Sequence, residues 1–211
     1  MITEIGPHRL RHGNLHDGIG DLMLGERADI VYADPPWGPG NLKFWQTMNH
    51  KMTGAEPLPT DIDAFLDCVL ATARDHVAPD GVILIEYGVR WCDQFLARAQ
   101  SHGLAHRATQ VSLYNGGKEY LPYHIHAFSA QPRDLSHLAA VERTHGYDTV
   151  RLVVGPLAVR GGILLDFCCG LGQMARAADE FGMRFRGNEL NRARLQRTMD
   201  KLLAAHALRA S

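Results

Sequence analysis

Residues 29–37 read DIVYADPPW. Ile30 to Ala33 is a short apolar run with β-branched and aromatic members, the composition of a strand buried in a parallel sheet. The run stops at Asp34, and two prolines follow at once. Neither can donate to a strand ladder, so the chain leaves the sheet there. The first proline also biases Asp34 away from helical geometry. An acid is thereby placed at the carboxyl end of a strand, on a stiff turn, with an aromatic ring just beyond. In open α/β sheets that end is where ligands bind.

Asp34, Pro35, Pro36 and Trp37 together suit one chemistry. The exocyclic amine of a nucleobase is a poor nucleophile because its lone pair is delocalised into the ring. Two acceptors on its two N–H bonds, the Asp34 carboxylate and the Pro35 carbonyl, pull the nitrogen toward tetrahedral geometry and free that pair. Trp37 offers a flat face for a base swung out of its stack, a contact worth about 1–3 kcal/mol. The same four residues also read as a proline-rich turn capped by an acid, with a tryptophan in the core.

The second half of the chain weighs against that plainer reading. Residues 162–191 read GILLDFCCGLGQMARAADEFGMRFRGNELN. Ile163 to Phe167 is a strand, Gly170 and Gly172 form a tight turn, and a helix follows through Ala178. A second strand, Met183 to Gly187, ends at Asn188-Glu189. This is a strand–turn–helix–strand unit in which glycines let the backbone approach a nucleoside and the acid can hold two ribose hydroxyls. A GxG alone is common by chance; set between strand and helix, with an acid about 20 residues on, it is more specific.

DPPW together with DFCCGLG and GNEL resembles the S-adenosylmethionine-dependent methyltransferases that act on exocyclic amino groups of DNA bases. In that family DPPW or DPPY is typical of N6-adenine enzymes, and serine in place of Asp34 of N4-cytosine enzymes. The catalytic tetrad precedes the cofactor loop, the permuted order of the β group. The resemblance implies S-adenosyl-L-methionine as cofactor. It implies binding by Asn14, Asp34, Asp148, Thr149, Asp166, Phe167, Cys168, Gly170, Gly172, Gln173, Asn188 and Glu189. Asn14 would sit near the adenine, and Asp148-Thr149 near the methionine part. The chain departs from the family pattern at Cys168-Cys169, at Gln173 where Ser or Thr is usual, and at Gly13-Asn14 where Gly-Asp is usual.

The remainder is read outward from these segments. A length of 211 residues fits one domain with a substantial core. A net charge of −1 leaves nucleic acid to be met by local basic patches. Four cysteines without CxxC pairs read as reduced thiols of a cytoplasmic protein, in a bacterial cell or a phage-infected host. His124-x-His126 would make half a metal site, but reads more simply as hairpin histidines, and no metal is expected. No apolar stretch suggests a membrane span or signal peptide.

Arg9 to Gly13 reads as a short strand into Asn14, with a short helix through Leu24. Gly38 to Pro59, some 20 residues, reads as a loop, lid or flap. Its Lys43, Trp45 and Lys51 are candidates for DNA contact. Thr60 is the expected cap of a helix to about His76. Val82 to Tyr87 is a buried strand, Trp91 to Ser101 a helix ended by Gly103. His106 to Tyr114 and Tyr123 to Ala130 are strands joined by NGGKEYLP, where Lys118 and Tyr120 are further candidates for nucleic-acid contact. Asp148 to Val154 is a short helix, and Arg192 to Leu208 a closing helix with Leu195, Met199, Leu202 and Leu203 on one face.

The expected architecture is therefore a single-domain, Rossmann-like methyltransferase fold. It has a mainly parallel seven-stranded sheet, one antiparallel strand and helices on both faces. Residues 1–130 form the catalytic half, 131–147 a short linker, and 148–211 the cofactor half, with no separate target-recognition domain. The expected function is N6-methylation of adenine in DNA, with relaxed or short sequence specificity, by a monomer, a homodimer or with a partner protein. RNA adenine methylation, cytosine N4-methylation and an inactive nucleic-acid-binding homologue are the alternatives.

Overall fold

The computed structural model describes residues 1–54, 56 and 61–210, with side chains to residue 205. In chain order the elements are β1 (Ile2–Ile5), β2 (His8–His12), α1 (Gly20–Met23), β3 (Ala28–Ala33), α2 (Pro39–Thr53) and α3 (Ile62–His76). Then come β4 (Val77–Gly88), α4 (Cys92–Ser101), β5 (His106–Asn115), β6 (Tyr120–Phe128) and α5 (Tyr147–Val154). The chain continues through β7 (Ile163–Asp166), α6 (Gln173–Glu180), β8 (Arg184–Glu189) and α7 (Arg192–Ala210).

The strands form one eight-stranded sheet in the order β1-β2-β8-β7-β3-β4-β6-β5. The five from β2 to β4 pair in parallel, and β6 and β1 run against their neighbours. The hairpin strand β1 is one more than the sequence suggests, because its four residues, ITEI, are too short to show a period. Helices cover both faces. Val150 and Val153 of α5, Met174 and Ala177 of α6 and Leu195 of α7 pack on one side. Leu66 and Leu70 of α3 and Phe95 of α4 pack on the other.

The register places the site. Tyr32 lies opposite Asp166, and Asp166 opposite Gly187. Two residues further along each chain come Asp34, Cys168 and Glu189, side by side at the carboxyl edge. The strand order also reverses between β3 and β7, so this edge is a topological switch point, where the two sets of loops diverge and leave a crevice.

Four expectations need correction. Pro39–Thr53 is a helix rather than a loop: Gly38 (φ +86°) precedes a proline in the first turn, and Gly54 (φ +70°) closes the end by donating to His50 O. It escaped notice because Leu42 is its one buried residue, so it shows almost no apolar stripe. The expected cap Thr60 lies outside the described residues; Asp61 caps α3, its side chain accepting from Ala64 N at 2.7 Å. Leu203 does not share the buried face of α7, being 53% exposed where Leu202 is 2%. The hairpin tip is also tighter than NGGKEYLP suggests, with Gly116 N donating to Glu119 O. Among the described residues no helix is long and apolar enough to cross a membrane.

The two leucines give a direct test of the α7 contact. Leu202→Ala should cost about 2–5 kcal/mol in urea unfolding, whereas Leu203→Ala should stay within about 0.5 kcal/mol of the parent. Equal losses would show that α7 sits differently on the sheet.

Candidate active site at the carboxyl edge of the sheet

A cleft of about 740 Å³ opens over the edge where β3, β7 and β8 end. From β3 come Asp34 and Pro36; from the β7–α6 turn Phe167, Cys168, Gly170 and Gln173; from β8 Asn188 and Glu189. Asn14, Leu15 and His16 form one wall, while Leu42, Trp45, Gln46, Asn49 and Thr53 of α2 form the roof. Those roof positions recur every three or four residues, so α2 turns one face to the cleft.

Glu189 is 7% exposed and fixes the floor. Its Oε2 accepts from Gly170 N at 2.8 Å and its Oε1 from Asn191 N at 2.7 Å. Burial raises its carboxyl, and the N–H groups of Asn191 and Gly170 with Arg194 act against that. Each oxygen keeps a further lone pair for a ligand. Beside it, Asn188 Oδ1 accepts from Arg11 Nη1 at 2.8 Å, and its Nδ2 donates to Phe167 O at 3.2 Å. Arg11 also reaches Asp21 at 3.0 Å and Asn14 O at 3.2 Å, which ties the Asn14 wall to β8. Gly13 makes this possible, since a Cβ there would lie 2.3 Å from Arg11 Nη1.

The two glycines of the turn have different work. Gly170 (φ +49°) lines the cleft and would meet nothing closer than 3.8 Å. Gly172 (φ +78°) instead packs on α7, where a Cβ would stand 2.6 Å from Thr198 Cγ2. The second glycine therefore serves helix packing. Cys168 and Cys169 are free, and burial pushes both thiols up, so they are neutral and poorly nucleophilic.

On the tetrad side, the Trp37 indole N–H donates to Asp34 Oδ1 at 3.1 Å. The surrounding protein pushes the Asp34 carboxyl up to about 6, and the Trp37 N–H pulls it down. Asp34 is nevertheless exposed to the water of the cleft, which moderates that push. The Trp37 ring stacks on Tyr123, centroids 5.6 Å apart at 17°, and meets Tyr114 edge-on at 5.1 Å. One face of the indole is thus taken by the protein, and Trp37 is not among the lining residues.

Behind Asp34 lies an acid that sequence reading passed over. Glu86 of β4 accepts from the hydroxyls of Tyr32 and Tyr123. Burial, then the charge of Asp34, raises its carboxyl well above the ordinary range. A lone glutamate inside the apolar run VILIEYG was the available signal. Asp166 is likewise buried, accepting from Cys168 N at 3.0 Å, and does not line the cleft.

Other candidates lie apart. Thr149 is 1% exposed and bonds to Ser112 and Thr144 at 3.1 and 2.8 Å, and neither it nor Asp148 reaches the cleft. Their placement came from the family pattern, and here α5 packs Thr149 into the β5 side of the core. Trp45 faces the cleft beneath Arg194, whose guanidinium carbon is 4.1 Å from the ring centroid. Lys43, Lys51, Lys118 and Tyr120 are exposed, on α2 and at the β5–β6 tip. Asn49 and Asn191, which bond at 3.0 Å, and Arg194 are cleft residues that sequence reading missed.

No family model and no curated protein matches the chain. Solved structures do. M1.HpyAVI, also crystallised with S-adenosylmethionine, superposes with a TM-score of 0.63 at 15% identity, over 92% of this chain and 97% of its own. TTHA0409 of Thermus thermophilus, assigned as a DNA modification methylase, gives 0.65 at 16% identity, over 94% and 95%. The cytosine-N4-specific PvuII DNA methyltransferase gives 0.58 at 11% identity, over 94% and 90%. At these identities the likeness is one of fold, and it extends over nearly the whole chain.

The Trp37–Asp34 contact sets a titration with a definite sign. A hydrogen bond to the charged carboxylate lowers its pKa, so Trp37→Phe should raise the Asp34 midpoint above that of the parent. Carbon-13 NMR of the Asp34 carboxyl reads this directly. A midpoint that stays put or falls would mean the indole N–H does not hold the carboxylate.

Proposed function

We propose that this chain is a DNA methyltransferase that moves a methyl group from S-adenosylmethionine to N6 of a flipped adenine. The observation that carries the proposal is Asp34, on its Pro-Pro turn, sharing one cleft with Glu189 and the Gly170 turn. The fold likeness to M1.HpyAVI, TTHA0409 and the PvuII enzyme supports the same reading.

The cleft fits the cofactor. Its volume lies within the roughly 300–1,000 Å³ of small-molecule sites. Asp17, Asp34, Glu56 and Glu189 face it against the single Lys or Arg side chain, Arg194, among the described residues, a balance that suits a cation. Asn14, Phe167, Cys168, Gly170, Gln173, Asn188 and Glu189 would hold it, with Glu189 accepting from the ribose hydroxyls. Bound there, S-adenosylmethionine supplies an electrophilic methyl on its sulfonium sulfur.

The chain's own contribution is alignment and polarisation. The Asp34 carboxylate and the Pro35 carbonyl accept the two N–H bonds of the target amine. The lone pair is freed, and the methylated nitrogen sheds one proton toward Asp34 or water. Trp37 positions Asp34 through its N–H, and its Tyr123 stack leaves at most one indole face for a base. No covalent enzyme intermediate is needed, in keeping with the neutral thiols of Cys168 and Cys169. Lys43, Lys51, Lys118 and Tyr120 suit backbone phosphates and stacking, which position without specifying. Residues 131–147 carry only a short 3-10 segment, Ser136–Val141, beside irregular chain, so we expect relaxed or very short sequence specificity. Cytosine N4 is the second reading, favoured by the likeness to the PvuII enzyme.

Asp34→Ala should lower methylation about 10²–10³-fold while S-adenosylmethionine affinity holds, since its carboxylate acts mainly in the transition state. Glu189→Ala should do the reverse, weakening the cofactor by about 1.5–3 kcal/mol in calorimetry. An Asp34→Ala enzyme keeping more than about a tenth of the rate, or unchanged affinity in Glu189→Ala, would refute the assignments.

Asp34 must be ionised to accept, so the single-turnover rate should fall as pH drops through about 6. A rate flat from about pH 8 to about pH 5 would remove Asp34 from that role. Sequencing modified bases in DNA treated with the purified protein identifies base and motif together. Methylation confined to one motif of about five or more fixed bases would show a reading element elsewhere.

A further inference from the structure

The face of β6 opposite Tyr123 carries a group of side chains that the cleft does not use. Successive strand residues alternate faces, so His124 and His126 point together beneath the start of α4. There Cys92, the first residue of that helix, joins them, and one ligand atom from each of the three lies within 4.8 Å of the other two. His126 is 0% exposed, and its Nε2 has no hydrogen-bond partner among the described residues. The Nδ1 of His124 is buried and likewise without one. A buried imidazole nitrogen with nothing to bond is a costly feature that a structure keeps for a reason. Two such histidines in one cluster with a thiol are a donor set.

We propose that Cys92, His124 and His126 form a binding site for a zinc-type divalent metal, bridging the start of α4 and β6. Two imidazoles and a thiolate are the borderline donors that zinc takes tetrahedrally, and water would fill the fourth position. Donors on one such ion stand about 3.5 Å apart, and rotation of the part-exposed Cys92 and His124 covers the difference.

The surroundings suit this use. Thr109 Oγ1 lies 2.9 Å from His126 Nδ1 and 2.8 Å from His106 Nε2. With the His126 Nδ1–H donating to Thr109 and the Thr109 hydroxyl donating to His106, Nε2 of His126 is left bare for the metal. This is the outer-shell support that orients ligating histidines. Binding at Cys92 forms a metal–sulfur bond and releases the S–H proton to solvent.

The site would act on the tetrad turn through packing. Trp91 precedes Cys92 and lies where a Cβ on Gly38 would meet its Nε1 at 2.7 Å, while Tyr123, next to His124, stacks on Trp37. A metal here would brace the chain just beyond Asp34, without touching the cleft.

Cobalt(II) titration of the purified full chain tests this without any assay of activity. One equivalent should give the thiolate-to-cobalt charge-transfer band and the intense visible bands of four-coordinate cobalt, and zinc should abolish both. Cys92→Ser should lose the charge-transfer band while circular dichroism stays that of the parent. The near-isosteric Thr109→Val, which touches no metal, should weaken cobalt by about 10–100-fold. No band in the parent protein, or a band that survives Cys92→Ser, would overturn the site. Cobalt affinity unchanged in Thr109→Val would overturn the assignment of His126 Nε2 as a ligand.

Discussion

The two oxygens of Glu189 each take one backbone N–H, from Gly170 at 2.8 Å and from Asn191 at 2.7 Å. The first bond fixes the turn between β7 and α6; the second fixes the start of α7. Asn191 in turn caps α7, its Oδ1 accepting from Ala193 N at 3.0 Å and Arg194 N at 3.1 Å, and its Nδ2 donates to Asn49 of α2. One buried carboxylate therefore ties together the glycine turn, the last helix and the roof of the cleft. A glutamine there could accept only one of the two N–H groups, because its amide nitrogen donates, and it would lose the charge-assisted strength, about twice that of neutral bonds.

The carboxyl edge concentrates acids that the fold must accommodate. Burial raises the carboxyls of Glu86, Asp166 and Glu189, the surrounding protein pushes that of Asp34 the same way, and the charge of Asp34 adds to it at Glu86 and Asp166. The protein answers unevenly. Glu189 and Asp166 receive backbone N–H groups, and Glu86 receives two tyrosine hydroxyls. Asp34 receives the Trp37 N–H alone among the described residues and is the member left open to the cleft. The acid with the least internal support is the one with acceptor capacity to spare. That is the arrangement a residue needs if its bonds are to be made to a ligand.

Much of this was legible, and for stated reasons. DPP after an apolar run ends a strand, GxG between strand and helix makes a tight turn, and an acid closes the next apolar strand, so the positions of Asp34, Gly170 and Glu189 were readable from local backbone chemistry. Gly172 was legible as a glycine but not for its purpose, because its neighbour Thr198 lies on another helix. Thr149 was expected near the cofactor on the family pattern alone, and it is instead buried against Ser112 and Thr144, away from the cleft lining. Arg11, Asn49, Glu86 and Arg194 were not found. Each acts through partners distant in the chain or across a helix pair, and pairing at that range leaves no local period.

The roof differs in kind from the rest of the molecule. Helix α3 buries Leu66, Val69, Leu70 and Ala73, and each large apolar side chain so buried contributes about 1.5–3 kcal/mol. Helix α2, of the same length, buries Leu42 alone. Its other anchors are polar or part-exposed: Asn41 to Trp37 N at 3.0 Å, Asn49 to Asn191 at 3.0 Å, and Trp45 beneath Arg194. Bonds of that kind contribute about 1 kcal/mol each. Positive-φ glycines stand at both of its ends, Gly38 and Gly54. Low buried apolar area between two permissive joints marks a segment of low local opening free energy. The same weak apolar stripe that hid α2 from sequence reading is therefore what makes it a roof and not a wall: its inner face is reserved for whatever fills the cleft.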